Sequence, residues 1–206
     1  MFELYYFEKS LRGIGANKDL ETFHILKNLY SQSHRFYHNK SHISQCLSQF
    51  QKYRHQANLP DEVEIAIWFH DGIYDTTSTD NEEKSAELAE HRLSILNVKA
   101  ESIERIVKMI LATKNHLVST IDSQLLIDID LLILGAETPI FEQYDRNIRK
   151  EYHWVAEEVY LHKRVQVLQS FLDRDVIYHT KEIREEYEIQ ARNNISRTIE
   201  QLSFKH

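Results

Sequence analysis

A chain of 206 residues falls in the size range of a single domain and can bury a substantial core. Its 25 Lys+Arg against 32 Asp+Glu leave a formal charge of -7, spread along the chain rather than gathered, which argues against a general binder of nucleic acid or of an anionic membrane. With only 4 Gly and 2 Pro, neither a low-complexity linker nor a turn-rich all-β chain fits, so an all-α, single-domain, multi-helix bundle is expected. One cysteine, Cys46, excludes an internal disulfide. The opening residues lack a basic stretch followed by an apolar one, and no run nears the roughly 18 apolar residues of a membrane span. A soluble, cytoplasmic protein is expected.

Taken in order, Asp19 is placed to cap a helix with Phe23, Leu26, Leu29 and Tyr30 on its apolar face. That helix should stop near Ser31 or Ser33, where short polar side chains compete for the backbone, and Arg35 to His38 then reads as a loop. Ser41 is placed to cap the next helix, with Ile43, Cys46, Leu47 and Phe50 at helical spacing and His42 in the first turn. Pro60-Asp61 restarts the chain. Val63, Ile65, Ala66, Ile67, Trp68 and Phe69 are apolar nearly all round, the pattern of a buried helix, which ends at His70-Asp71-Gly72 and delivers its polar pair there.

Asp75 to Asp80 reads as a loop bordering that pair, and Asp80 or Asn81 as the cap of a helix with Ala86, Leu88, Ala89 and Leu93 inside. Glu82, Glu83 and Glu87 then lie near its positive end. Ala100 to Thr113 repeats the helical period through Ile103, Ile106, Val107, Ile110 and Leu111, and runs out into Lys114-Asn115-His116. The most apolar run, Leu125 to Leu134, is closed by Gly135 and carries Asp128 and Asp130, whose burial demands a partner or a metal. From Pro139 a long helical stretch, broken somewhere along its length, passes Tyr144, Ile148, Tyr152 and Val155 to Phe171-Leu172. A last helix follows from about Thr180 to Leu202. No repeat period is present.

The pair His70-Asp71 is weak alone, since roughly 0.6 such pairs arise by chance at this composition. Its context raises it: a buried helix before it, His42 some thirty residues upstream, and an Asp in an apolar run some sixty residues downstream. Two imidazoles and carboxylates can fix a divalent ion. Asp128 and Asp130, two apart on a helix, point about 200° from each other, so one of them faces such an ion, and Asp130 is chosen.

These residues resemble the HD superfamily of metal-dependent phosphohydrolases, whose ligands are a His, the His-Asp pair and a later Asp. The positions that match are His42, His70, Asp71 and Asp130. The wider pattern of Arg35-Phe36-Tyr37-His38-Asn39, Asn81 to Ala86, Asp130-Leu131 and Ile148-Arg149-Lys150-Glu151-Tyr152 is similar to a bacterial HD subfamily without a named substrate. The resemblance implies an HD-type domain over 1–206, with a metal-site core at about 20–135 and C-terminal helices at about 137–204. It also implies one divalent ion: Mn, Fe, Co, Ni or Zn, with Mg also admissible.

Tyr37-His38-Asn39 before His42 resembles the element of cyclic-nucleotide phosphodiesterases in which the first His protonates the leaving oxygen, which implies a general acid at His38. Those enzymes carry another His three residues past the pair, where this chain has Tyr74. His-Asp-Gly-Ile-Tyr-Asp-Thr is similar to the His-Asp-x-x-Glu-Asp-Thr element of guanosine tetraphosphate hydrolases. By that likeness Asp75 orients or deprotonates the attacking water, although Tyr74 replaces the Glu.

Arg35, Lys40 and Lys114 are the basic groups that could draw a phosphate, with Arg35 first. His116 is a substrate contact or a ligand of a second metal, and Asn81 and Glu82 are candidate partners of the ligand histidines. Arg149, Glu151 and Arg164 read as ion-pair formers. The expectation is hydrolysis of a small phosphoester, a nucleotide or related metabolite, by a metal-activated water. The alternative is a non-catalytic, metal-containing ligand-binding or sensor protein. Neither nucleic acid nor membrane is expected as a partner, and a homodimer stays open.

Overall fold

The computed structural model describes residues 1–116 and 118–203, and among these the chain is all-helical with no strand. The helices are α1 (Leu4–Gly13), α2 (Leu20–Leu29), α3 (Lys40–Tyr53), α4 (Pro60–Phe69), α5 (Asn81–Ile95), α6 (Ala100–Ala112), α7 (Ile121–Asp130), α8 (Thr138–Glu151), α9 (Glu157–Leu172) and α10 (Lys181–Ser203). Short 3-10 turns lie at Arg54–Gln56 and Leu131–Gly135. The chain divides into two compact units, Met1–Ile129 and Asp130–His206, with the division at the last residue of α7. The expected limit of the C-terminal helices near 204 lies outside the described residues.

The first unit is built on α4. Because its apolar residues run nearly all round, it can be covered on every side, and it packs against α1, α3, α5 and α6. Val63 and Ile65 to Phe69 are fully buried, and each large side chain contributes about 1.5–3 kcal/mol by leaving water. Helix α1, which the reading of the sequence did not anticipate, closes one side of α4. Phe7 and Leu11, four apart on one face, are fully buried; the Phe7 ring meets Trp68 edge-on at 5.3 Å, and the Trp68 indole N–H donates to Ser10 Oγ at 3.3 Å. The first unit thus takes in α1.

Local capping sets where the site-bearing helices begin. Asp19 caps α2 as expected, accepting from the Glu21 N–H at 3.0 Å. Asn39, not Ser41, caps α3: Asn39 holds extended backbone and its side chain accepts from the Ser41 N–H at 2.8 Å, so Ser41 is already helical. Pro60 takes the first position of α4, where its missing N–H costs nothing.

In the second unit the apolar run leaving α7 tightens into the 3-10 turn Leu131–Gly135. Asn194 of α10 donates to the carbonyls of Leu134 and Ala136 at 2.9 and 2.8 Å, and the Tyr178 hydroxyl to that of Leu131 at 3.0 Å. Gly135 is required for close approach, since a Cβ there would lie 2.7 Å from Tyr187 Cβ. The break in the long stretch after Pro139 falls between α8 and α9, where Arg149 donates to the carbonyls of Tyr152 and Val155 at 2.7 and 3.2 Å. No helix of the described residues is long and apolar enough to cross a membrane.

Candidate metal centre

Three helices bring ligand-type side chains together at their ends. The C-terminal end of α4 supplies His70 and Asp71, the first turn of α3 supplies His42, and the last residue of α7 is Asp130. One ligand atom from each of the four lies within 4.8 Å of all the others. His42 Nε2 and His70 Nε2 are each 3.3 Å from Asp71 Oδ2 and 3.4 Å from one another. Both histidines are buried, and Asp71 and Asp130 are partly exposed.

This triangle fits a divalent ion. Bonds of roughly 2.1 Å from N and O donors to a tetrahedral ion place neighbouring ligand atoms ~3.4 Å apart, the spacing found here. The ring orientation agrees: His70 Nδ1 donates to the Ile67 carbonyl at 2.9 Å, which leaves Nε2 as the nitrogen turned toward the group. Two imidazole nitrogens and a carboxylate oxygen held this closely call for a positive centre between them. Burial by itself raises the Asp71 carboxyl, but the His70 and His42 imidazoles bonded to it, with His38 nearby, outweigh that and hold it well below the usual carboxylate range. Asp71 is therefore an ionised donor. Of Asp128 and Asp130 on α7, Asp130 is the one in the group, in keeping with a helical phase that lets only one of the two face it.

The remaining expected site residues divide into those gathered here and those engaged elsewhere. His38 is gathered. Its ring stacks on Tyr74 at 4.1 Å and meets His42 edge-on at 5.7 Å, and its charge is felt by Asp71. Asp75 is an exposed turn former whose carboxylate accepts from the Thr77 N–H and hydroxyl at 2.8 and 2.7 Å. Those bonds hold its pKa down, aided by His34 and Lys84 rather than by the ligand histidines. Asp75, expected to orient the water, is not one of the four clustered residues.

Arg35 is engaged with backbone. It is 5 % exposed, and its guanidinium donates to the carbonyls of Asp71 at 2.6 Å, Gly72 at 2.9 Å and His38 at 3.3 Å. It thus satisfies carbonyls at the negative end of α4 and ties the His38 loop to the His-Asp turn, instead of presenting itself to a phosphate. Lys114 is similarly engaged: Nζ donates to the Thr79 carbonyl at 2.7 Å and pairs with Glu83, a bond that raises its pKa. Asn81 bonds the backbone of Asp75 through both of its side-chain ends, at 3.0 and 2.9 Å, and so shapes the loop. Glu82 is an acid of the first turn of α5, a favourable position for that helix. His116 lies in the turn after α6 in the left-handed region (φ 52°) and is not one of the four clustered residues.

Four supporting residues were not assigned to the site from the sequence. Tyr74 forms the stack under His38, and Cys46 Sγ lies 3.7 Å from His42 Nδ1, one helical turn along α3. Ser85, fully buried, accepts from the Ile73 N–H at 2.9 Å and donates to its carbonyl at 3.2 Å, pinning the turn after Asp71 to α5. Tyr30 lies under the Arg35 guanidinium at 5.2 Å and donates to the Trp68 carbonyl at 3.1 Å. Only Cys46, four residues after His42, left a signal in the spacing. No protein-family model, curated protein or solved structure matches the chain significantly.

Proposed function

We propose that the protein is a metal-dependent phosphohydrolase acting on a small phosphoester, a nucleotide or related metabolite. The observation that carries this reading is the group of His42, His70, Asp71 and Asp130 at three helix ends, with ligand atoms at metal-binding spacing. An ion of the Mn, Fe, Co, Ni, Zn or Mg type, when bound, supplies Lewis acidity to a phosphoryl oxygen and lowers the pKa of water in its coordination sphere. The chain's own residues do the rest. Asp71, kept ionised, offsets the ion's charge, and the Ile67 carbonyl fixes the His70 ring so that Nε2 is the donor. His38, held by its stack on Tyr74 and by the bond from Arg35 to its carbonyl, delivers a proton to the leaving oxygen. Arg35 keeps the His38 loop and the His-Asp turn in register, and this positioning is its part in the reaction.

A second reading, a non-catalytic metal-containing sensor or ligand-binding protein, draws support from Asp75, Arg35 and Lys114. Each was expected to serve catalysis or substrate, and each is committed to backbone or turn contacts. The deciding measurement is phosphate release from nucleoside mono-, di- and triphosphates and pyrophosphate-linked nucleotides with each metal in turn, using Asp71→Ala as control. Release that disappears in the control supports the hydrolase. Tight binding of one compound without turnover under any metal supports the sensor.

A further inference from the structure

Resting on the phosphohydrolase reading, we propose that Phe36 and Tyr37 form a stacking wall beside the metal centre, which selects phosphomonoesters that carry a planar ring, the nucleoside monophosphates among them. The Tyr37 ring lies 4.8 Å from that of His42 and 4.9 Å from that of His38, and His38 stacks in turn on Tyr74. His42 is buried, whereas Tyr37, His38 and Tyr74 are half-exposed, so these rings lead from the ligand group out to solvent. Phe36, the residue before Tyr37, is 42 % exposed. A large apolar ring left in water on a loop beside the ligand group is open to the apolar part of a ligand.

The loop is pinned on both sides of these rings. Arg35 is bonded to the Asp71 and Gly72 carbonyls, and Asn39 donates through Nδ2 to the Phe36 carbonyl at 3.1 Å and through its backbone N–H to that of Tyr37 at 2.7 Å. The rings are thus placed before a substrate arrives, which lowers the ordering cost of stacking. Charge points the same way. Of the three basic groups beside the ligands in sequence, Arg35 is turned to carbonyls and Lys114 to Thr79 and Glu83. Lys40, two residues before His42 on α3, leaves the helix about 200° round from it. None of the three is set to receive a second phosphate, so the substrate is recognised by one phosphoryl group at the metal centre and by its ring at the wall.

The test compares adenosine monophosphate, ribose 5-phosphate and adenosine triphosphate on the full chain, with manganese, zinc and magnesium supplied in turn. It reads kcat/KM for phosphate release, and a calorimetric Kd wherever no phosphate is released. Stacking of a base on an aromatic ring is worth roughly fivefold to a hundredfold in affinity. Adenosine monophosphate should therefore exceed ribose 5-phosphate by at least fivefold, and the triphosphate should do no better than the monophosphate. Phe36→Ala, a change at an exposed ring that should leave the circular dichroism as it is, should cut that preference at least threefold by lowering the value for the monophosphate alone. Tyr37→Ala should act likewise, and Phe36→Tyr and Tyr37→Phe should each keep the preference. The proposal is overturned if ribose 5-phosphate is handled as well as adenosine monophosphate, if either alanine variant keeps the parent's preference, or if the triphosphate is preferred. Absence of phosphate release from every compound would overturn the hydrolase reading instead, and the ratio of Kd values would still decide the wall; absence of binding as well would overturn both.

Discussion

The two ends of α4 carry similar numbers of ionisable groups and use them differently. At the N-terminal end Glu62 receives both Nε and Nη2 of Arg105, at 2.7 and 2.6 Å, and Glu64 pairs with Arg54 at 2.6 Å and accepts from Ser10 at 2.9 Å. Arg54 also reaches Asp61 and the Pro60 carbonyl. At the C-terminal end Asp71 is matched by imidazoles, and the one guanidinium present, that of Arg35, is turned to backbone carbonyls. Acids on a buried helix are therefore no guide to a site by themselves. An acid neutralised by arginine is closed, because guanidinium has no lone pair to give a metal, whereas an acid among histidines leaves a set of nitrogen and oxygen atoms facing one point.

This contrast breaks most visibly at His70. His70→Ala should lose the ion, read as metal per chain by elemental analysis, and about 4 kcal/mol of stability where the parent holds metal at a thousandfold excess over Kd. Chelator should lower the Tm of the parent and leave that of the variant unchanged; equal melting of the parent with and without chelator would remove the ion from the account. At the other end of the helix, Glu64→Ala should cost about 2 kcal/mol, because it removes a buried acceptor shared by Arg54 and Ser10, which keep Asp61 and the Tyr6 carbonyl as their other partners. Its metal content should match the parent's, and a loss of metal there would erase the distinction between the two ends.

Arg35→Lys sharpens the comparison, since it keeps the charge but not the fork that reaches the Asp71 and Gly72 carbonyls. A loss of about 2 kcal/mol in denaturant unfolding is expected, together with weaker metal retention. If the variant instead raised KM alone with stability untouched, Arg35 would be a substrate contact after all. Asp19 tests an acid of the arginine-paired kind away from α4. Burial raises its carboxyl, but the bonds from Thr22 and Arg92 outweigh that and bring it below its ordinary value. A lowered folded-state pKa means stability that is present above the unfolded value of about 3.9 and lost as pH falls through the folded value. Asp19→Ala should thus cost about 1 kcal/mol near neutral pH, with the gap to the parent narrowing below about pH 4. The smallest effect is expected at Asp75, whose carboxylate serves only the Thr77 turn: Asp75→Ala should stay within about 0.5 kcal/mol of the parent and retain its turnover, and a collapse of kcat would restore the water-orienting role.

Much of this was legible in the residues. The helical periods of α2 to α7 and of α10 could be counted, and the all-round apolar run from Val63 to Phe69 marked the buried helix and therefore where its polar end would emerge. The four clustered ligands were legible through the context of the His70-Asp71 pair and the resemblance that singled out His42 and Asp130, while phase required only that one of Asp128 and Asp130 face the group. Helix α1 was passed over because its face is short and its partner, Trp68, lies some sixty residues away.

What the sequence by itself determined was the class of fold, the helix that must be buried, and the chemistry of the donor set, because periodicity and residue type are local properties of a chain. Which polar groups would be spent on holding the structure was decided by tertiary contacts alone. Arg35, Lys114, Asp75 and Asn81 read as site residues, since a charge beside a ligand in sequence has no visible partner. Once the chain folds, Arg35 and Lys114 meet carbonyls that lie far away in sequence, and at the buried Arg35 desolvation makes those bonds obligatory, whereas Asp75 and Asn81 are taken up by their own exposed turn.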